Sequence, residues 1–287
     1  MKDFISDFKK LIKLRLTFLV VFSASISFLV AKENWASINW KNWIILIVGG
    51  FLVTGAANGF NEIIEKDLDK LMTRTADRPL PSGKMTNGQA LVLSLMMGIF
   101  GTYLLGSLNL TTGLLSVFSI LFYAFIYTPL KRVGTIAVFM GAIPGALPPL
   151  IGYVAAHGKI DTLALILFAI QFVWQFPHFW AIAWVLDDDY KKAGFRLLPT
   201  AKRDRTSAII TLSFTLLLLP VSLLPTIYGF GGNVIAGVSI FCSLVFIYQA
   251  FMLALNMDIK SAKNLMYGSF LYLPIVQVVL LFDLINK

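Results

Sequence analysis

The chain has 287 residues, 57% of them hydrophobic and only 14% charged, with a formal net charge of +9. Water-soluble domains carry about 25% charged residues, so the composition excludes one. The apolar residues fall in runs close to the roughly 20 residues that carry a helix across a bilayer core. An all-α polytopic membrane protein is expected, as a single domain over 1–287. The lone cysteine, Cys242 in GVSIFCSLVFIYQAF, cannot form an internal disulfide and reads as packing.

The opening MKDFISDFKKLIKLRL has no short apolar core ending in a small-residue cleavage site, and it carries Asp3 and Asp7. It is therefore not expected to be a cleaved signal or transit peptide. Residues 1–13 read as an amphipathic cytoplasmic lead-in, with Phe4, Ile5, Phe8, Leu11 and Ile12 on one side. Nine spans follow, at about 14–31, 43–60, 89–108, 112–128, 135–156, 162–186, 207–228, 233–255 and 265–283. With a cytoplasmic N-terminus, all but four of the 24 lysines and arginines fall on inside segments, the exceptions being Lys32, Lys41, Lys159 and Lys287. Enrichment of Lys and Arg in cytoplasmic loops supports that orientation and explains the basic balance without nucleic acid as a partner.

Outside connections such as SLNLTTG and YGFGGN are short and almost uncharged, whereas the inside connections 61–88 and 187–206 are long and hold most of the acids. Function concentrates in loops of that kind. Both follow an even-numbered span, which reads as a weak repeat of a four-helix unit.

In the first, NEIIEKDLDKLMTRTADRPLP, Asn61, Glu65 and Asp69 are spaced i, i+4, i+8. At 100° per residue they lie within about 80° of one another on a helix face, with Glu62 and Asp67 pointing elsewhere. Three oxygen donors on one stripe suit Mg²⁺, a hard cation that shares its shell with substrate phosphates. Arg74 and Arg78, also four apart, offer planar forks for phosphate oxygens. Acids and arginines together point to a Mg²⁺–diphosphate site; the competing reading is a solvated helix end with local ion pairs.

In the second, QFVWQFPHFWAIAWVLDDDYKKAGFRLLP, Gln171, Gln175, His178 and Asp189 share a helix face if Pro177 only kinks the helix. A polar stripe inside an apolar span faces the bundle interior and marks a substrate path. Asp187, Asp188 and Asp189 then offer carboxylates to a second metal. His178 is either a hydrogen-bonded interior histidine or a group that handles substrate; His157, in an outside loop, reads as structural or solvated. Between the motifs, Tyr123, Tyr127 and Lys131 are spaced to face one inside mouth. There they either serve a diphosphate and a cationic carbon or anchor the membrane interface. GAIPGALPPL reads as a broken helix packed closely beside a cavity.

The segments NEIIEKDLDKLMTRTADRPLPSG, YTPLKR, GALPPLIGY, QFPHFWAIAW and DDDYKKAGFRLLP resemble the UbiA superfamily of intramembrane prenyltransferases, and within it the haem-farnesylating branch. The similarity runs from about residue 10 to the C-terminus. QFPHFW followed by DDDYKKAGFRLLP discriminates, because other members generally carry aspartate where this chain has His178. Glu65 stands where the superfamily more often has Asp, a change that keeps the charge.

The resemblance implies a helical bundle around a central cavity opening to the cytoplasmic side, in a bacterial inner membrane. It implies transfer of farnesyl from farnesyl diphosphate to a vinyl group of haem B, with addition of water, giving haem O and diphosphate for terminal oxidases. Asn61, Glu65, Asp69, Asp187 and Asp189 would hold two Mg²⁺ ions, and Arg74, Arg78 and Lys131 the diphosphate. His178, Tyr127 and Gln175 would contact the haem. A haem A synthase or oxidase assembly factor is an implied partner. The nearest alternative is prenyl transfer to an aromatic acceptor such as 4-hydroxybenzoate or a quinone precursor. A transporter is disfavoured because the charges cluster at one side instead of lining a path through the midplane.

Overall fold

The structure of the protein, a computed structural model, describes residues 2–32 and 34–285. Lys287 of the outside count, and the side chains of Lys2 and Asp3, lie outside the described residues. Among those described, all regular structure is helical. The chain runs α1 (Lys2–Leu11), α2 (Leu14–Val30), α3 (Trp40–Asp69), α4 (Asn87–Leu108) and α5 (Leu110–Leu121, extended by Phe122–Tyr127 and Thr128–Leu130). It continues with α6 (Ile136–His157), α7 (Thr162–Lys192), α8 (Arg205–Ser222, then Leu224–Ile227), α9 (Asn233–Asn256) and α10 (Ile259–Ile285). Among the described residues eight helices are long and apolar enough to cross a membrane, and a ninth is counted by length and composition if Phe4–Leu11 and Leu14–Val30, bent by 52°, are taken together. The last eight expected spans correspond to these eight in order, and the first, at about 14–31, corresponds to α2, which reaches the length of a span only together with α1.

Side-chain caps start several helices where the backbone N–H groups of a first turn would otherwise go unpaired. Thr86 and Gln89 form a reciprocal capping box on α4, Asp161 accepts from Ala164 N on α7, and Asp204 accepts from Ser207 N on α8. The helices are apolar on nearly all sides, as helices immersed in lipid are: Phe18, Ile99, Phe100, Phe241 and Leu271 are exposed outward.

Three departures from the sequence reading bear on the site. First, α3 and α7 do not end at the expected boundaries near 60 and 186. They run on to Asp69 and Lys192, so Asn61, Glu65, Asp69 and the Asp187–Asp189 run lie on helix, not in loop. Second, α6 is unbroken despite Pro144, Pro148 and Pro149. Pro149 has no N–H for the carbonyl four residues back, and the freed Gly145 O instead accepts from Gln171 Nε2 at 2.7 Å and Gln175 Nε2 at 2.9 Å. Third, α5 widens over Phe122–Tyr127 into a π-helical turn. There Thr128 donates through both its N–H and its hydroxyl to Tyr123 O, five residues back. Such turns recur at functional sites, and this one brings Thr128 Oγ1 within 3.0 Å of Asn61 Nδ2 on α3 and the Tyr127 ring against Phe179 on α7.

Candidate active site

The C-terminal ends of α3, α5 and α7 meet at one end of the bundle. Asn61, Glu65 and Asp69 are all buried there, Asn61 and Asp69 completely. Asn61 Nδ2 donates to Glu65 Oε2 at 2.9 Å and to Thr128 Oγ1 at 3.0 Å, while its Oδ1 accepts from Lys13 Nζ at 2.5 Å. Lys131 Nζ stands 2.9 Å from Glu65 Oε1 and 3.0 Å from Oε2, and lies 4.8 Å above the Tyr127 ring. Burial opposes the charge on Lys131, but the Glu65 carboxylate outweighs it and holds the ammonium above its ordinary range. Arg78 Nη1 reaches Asp69 Oδ2 at 2.6 Å.

Among the described residues no three carboxylates or imidazoles stand close enough to ligate one ion, because each acid of the stripe is clamped by a cation or an amide. The donor set nevertheless fits a hard cation. It consists of oxygens, and Asp69 Oδ1 is buried with no hydrogen-bond partner, a state that buried polar atoms rarely keep without a ligand.

The second acidic run divides into three roles. Asp189 latches α7 to the 70–78 loop: its oxygens accept from Thr73 N at 2.8 Å, Arg74 N at 3.1 Å and Lys192 Nζ at 3.0 Å. Asp187 is buried against Lys191 Nζ at 2.5 Å, with Arg203 Nε at 3.9 Å. Asp188 points outward to Arg203 Nη1 at 2.8 Å. Asp189 thus brings the two motifs together, but through the backbone of the first loop and not alongside Asn61, Glu65 and Asp69. Arg74 is exposed, and among the described residues its guanidinium pairs with no carboxylate, which leaves it open to an anion. Asp67 faces outward, as its angular position predicts, and pairs with Lys70 at 3.1 Å.

Beside these groups a cavity of about 250 Å³ lies within the bundle, lined by α2, α3, α5, α6, α7 and α10. Tyr123, Tyr127 and Asn58 line it near the acids, and Gln171, Gln175 and His178 line it along α7. Asn61, Glu65, Asp69, Arg74, Arg78, Lys131, Asp187 and Asp189 are not among the residues that line it. Leu16, Leu19 and Phe270, each 41–51% exposed, form a rim open to the lipid-facing surface. Two glycines make the wall thin: a Cβ on Gly141 would stand 2.6 Å from the Tyr127 ring, and one on Gly145 2.7 Å from the Gln175 amide. The deep polar group is closed on itself, with Gln277 Nε2 donating to Ser23 Oγ at 2.8 Å and Ser23 Oγ donating to Gln171 Oε1 at 2.8 Å. No charged side chain lines the cavity among the described residues.

His157 pairs with Asp161 at 3.0 Å at the far end of α6, away from the cavity. Several contributors escaped the sequence reading. Lys13 reads only as one of the inside basic residues, Thr128 lies within YTPLKR without a role of its own there, and Ser269 lies in no motif. Buried Glu62 accepts from Leu80 N at 3.1 Å and so holds the RPLP turn against α3. The Asn-Glu-Asp stripe located Asn61 but held no sign of what reaches it from another helix.

The sequence pattern of the UbiA prenyltransferase family matches residues 20–273. The chain is 48% identical over 276 residues, 96% of each chain, to the protoheme IX farnesyltransferase of Cytophaga hutchinsonii. It is 40% identical to that of Flavobacterium johnsoniae, over 98% of this chain and 95% of the relative. Among solved structures, one described for digeranylgeranylglyceryl phosphate synthase in membranes superposes with a TM-score of 0.83 at 21% identity, covering both chains fully. A UbiA homologue from Archaeoglobus fulgidus bound to DMAPP and Mg²⁺ superposes with a TM-score of 0.74 at 12% identity, over 98% of this chain and 99% of the other.

Proposed function

The chain belongs to the UbiA prenyltransferase family, and on that premise we propose that it transfers the farnesyl group of farnesyl diphosphate to a vinyl group of haem B, with addition of water, giving haem O and diphosphate. The reading rests on one observation above all. The buried stripe of Asn61, Glu65 and Asp69, with Arg78 and Lys131, stands next to an apolar cavity whose wall carries Asn58, Tyr123, Tyr127 and His178, and the Tyr127 ring that lines the cavity lies 4.8 Å from Lys131 Nζ. A diphosphate belongs at the charged mouth and a farnesyl chain in the apolar space beyond it. Near-full-length relatives named protoheme IX farnesyltransferase support haem as the acceptor.

Asn61, Glu65, Asp69, Asp187 and Asp189 would hold two Mg²⁺ ions, a reading supported by the oxygen-only donor set, the unpartnered Asp69 Oδ1 and the Mg²⁺ of the Archaeoglobus homologue. Magnesium, when bound, neutralises the diphosphate as the allylic C–O bond breaks. Lys131 and Arg78 exchange their carboxylate partners for phosphate oxygens, and Arg74, already unpaired, joins them. The faces of Tyr123 and Tyr127 stabilise the allylic carbon as it becomes positive, and the apolar walls keep water from it until the vinyl carbon attacks. His178, Gln175 and Tyr127 contact the macrocycle. Its two carboxylates lie at the rim or the mouth, because the cavity wall offers them no cation.

By the excess of basic residues at that end, the mouth faces the cytoplasm, with residues 1–13 on the same side. An inner bacterial membrane suits the relatives' bacterial sources, and a haem A synthase or an oxidase assembly factor would take the product. Diphosphate release by purified protein tests the acceptor: release requires haem B and Mg²⁺ and stops with EDTA. Release driven by 4-hydroxybenzoate and not by haem would move the chain to phenol prenylation.

A further inference from the structure

The contacts around His178 favour one ring nitrogen as the carrier of its proton. Ser269, fully buried on α10, donates its hydroxyl to Met266 O at 2.6 Å, and its Oγ stands 2.8 Å from His178 Nδ1. A serine hydroxyl has one hydrogen. With that hydrogen spent on a carbonyl that can only accept, Oγ presents a lone pair to the ring, and Nδ1 must be the donor. A neutral imidazole has a single N–H, so Nε2 is unprotonated.

The ring is also fixed in plane. It stacks on Trp174 at 4.3 Å and 17°, with Phe270 edge-on at 5.3 Å. Trp174 in turn donates its indole N–H to Ser269 O at 3.0 Å. One serine therefore holds both stacked rings, through its carbonyl and its hydroxyl. His178 lines the cavity, and among the described residues nothing hydrogen-bonds Nε2.

We propose that Ser269 is a positioning residue: by accepting from Nδ1–H it keeps the Nε2 lone pair of His178 aimed into the cavity as a ligand for the iron of the tetrapyrrole acceptor. The inference rests on haem being the acceptor, and goes beyond it by assigning the tautomer and the residue that sets it. A histidine that ligates metal through one nitrogen commonly donates its other N–H to an oxygen acceptor, and loss of that acceptor weakens metal binding about 10–100-fold.

The test uses full-length protein purified in detergent, titrated with ferric haem B without farnesyl diphosphate, and followed by optical absorption and electron paramagnetic resonance. Wild type is expected to show nitrogen-ligated iron, His178→Ala to lose that signature, and added imidazole to restore it. Ser269→Ala is expected to weaken haem binding about 10-fold or more and to lower the nitrogen-ligated fraction. The near-isosteric but poorly accepting Ser269→Cys should behave alike, and Ser269→Thr should stay near wild type. Binding of farnesyl diphosphate with Mg²⁺ certifies that each variant is folded.

An unchanged spectrum and affinity in Ser269→Ala or Ser269→Cys would overturn the proposal. So would a Ser269→Thr loss as deep as theirs, since only packing would then matter. Retention of the signature by His178→Ala would place the iron ligand elsewhere. Failure of wild type to bind haem while it prenylates a phenol would instead remove the acceptor reading itself.

Discussion

The Lys131–Glu65 pair allows a prediction that separates holding the fold from doing chemistry. Both side chains are buried, at 13% and 4% exposure, and Lys131→Met leaves the Glu65 carboxylate with Asn61 as its remaining hydrogen-bond partner. Removing one member of a buried pair destabilises by about 3–5 kcal/mol, and the slight exposure of Lys131 places this case at the lower end. At about 2–4 °C per kcal/mol for a chain of this size, Lys131→Met should lower the thermal midpoint in detergent by about 6–12 °C. Adding Glu65→Gln removes the stranded charge while Asn61 keeps a carbonyl partner, so the double variant should recover most of that loss. It should nonetheless remain inactive, because the proposed metal donor and the proposed diphosphate cation are both gone. Intrinsic fluorescence during heating reads the midpoints, and diphosphate release reads turnover. A Lys131→Met midpoint within about 2 °C of wild type, or no recovery in the double variant, would refute a coupled buried pair.

Alkaline pH offers a second check on the same contact. Glu65 raises the Lys131 pKa above that of the unfolded chain, so its stabilisation is complete below the unfolded value and is lost as pH rises through the folded one. Melting curves should therefore show no loss attributable to Lys131 between pH 7 and 9, and a loss in that window would contradict the assignment. Asp189→Asn keeps one acceptor but turns an N–H toward the amide of Arg74. Limited proteolysis should then cleave faster near 73–82, with the KM for farnesyl diphosphate raised more than that for haem. Gly145→Ala would push a methyl into the Gln175 amide; overpacking of this kind costs about 1–3 kcal/mol, and haem binding should weaken while farnesyl diphosphate binding is retained.

Much of this was legible because lipid enforces strong rules. Helices in a bilayer must satisfy their own backbone, so the apolar runs predict spans, and the polar residues that break them stand out. Asn61, Glu65 and Asp69 share a face because the helix carries on through them, as their spacing requires. Gln171, Gln175 and His178 share one for the same reason, since Pro177 leaves α7 continuous.

The partners of these residues were not legible. Asp189 reads as a third carboxylate beside Asp187, yet in the fold its oxygens take the amides of Thr73 and Arg74, more than a hundred residues away in sequence. Pro148 and Pro149 read as a break in α6, but glutamines on a neighbouring helix take up the freed Gly145 carbonyl. Lys13 and Ser269 belong to no periodic pattern. They matter only because α2 and α10 close against the cavity, a tertiary relation that a single chain's spacing does not encode.

The central claim is that a diphosphate at the Asn61–Glu65–Asp69 mouth delivers its farnesyl group to a tetrapyrrole held beside His178. The mass of the haem extracted after incubating purified protein with haem B, farnesyl diphosphate and Mg²⁺ tests it most directly. A haem heavier by one farnesyl group plus one water, absent with Asp69→Ala or EDTA, is the predicted result. Recovery of unaltered haem B from folded protein that consumes farnesyl diphosphate with another acceptor would contradict it.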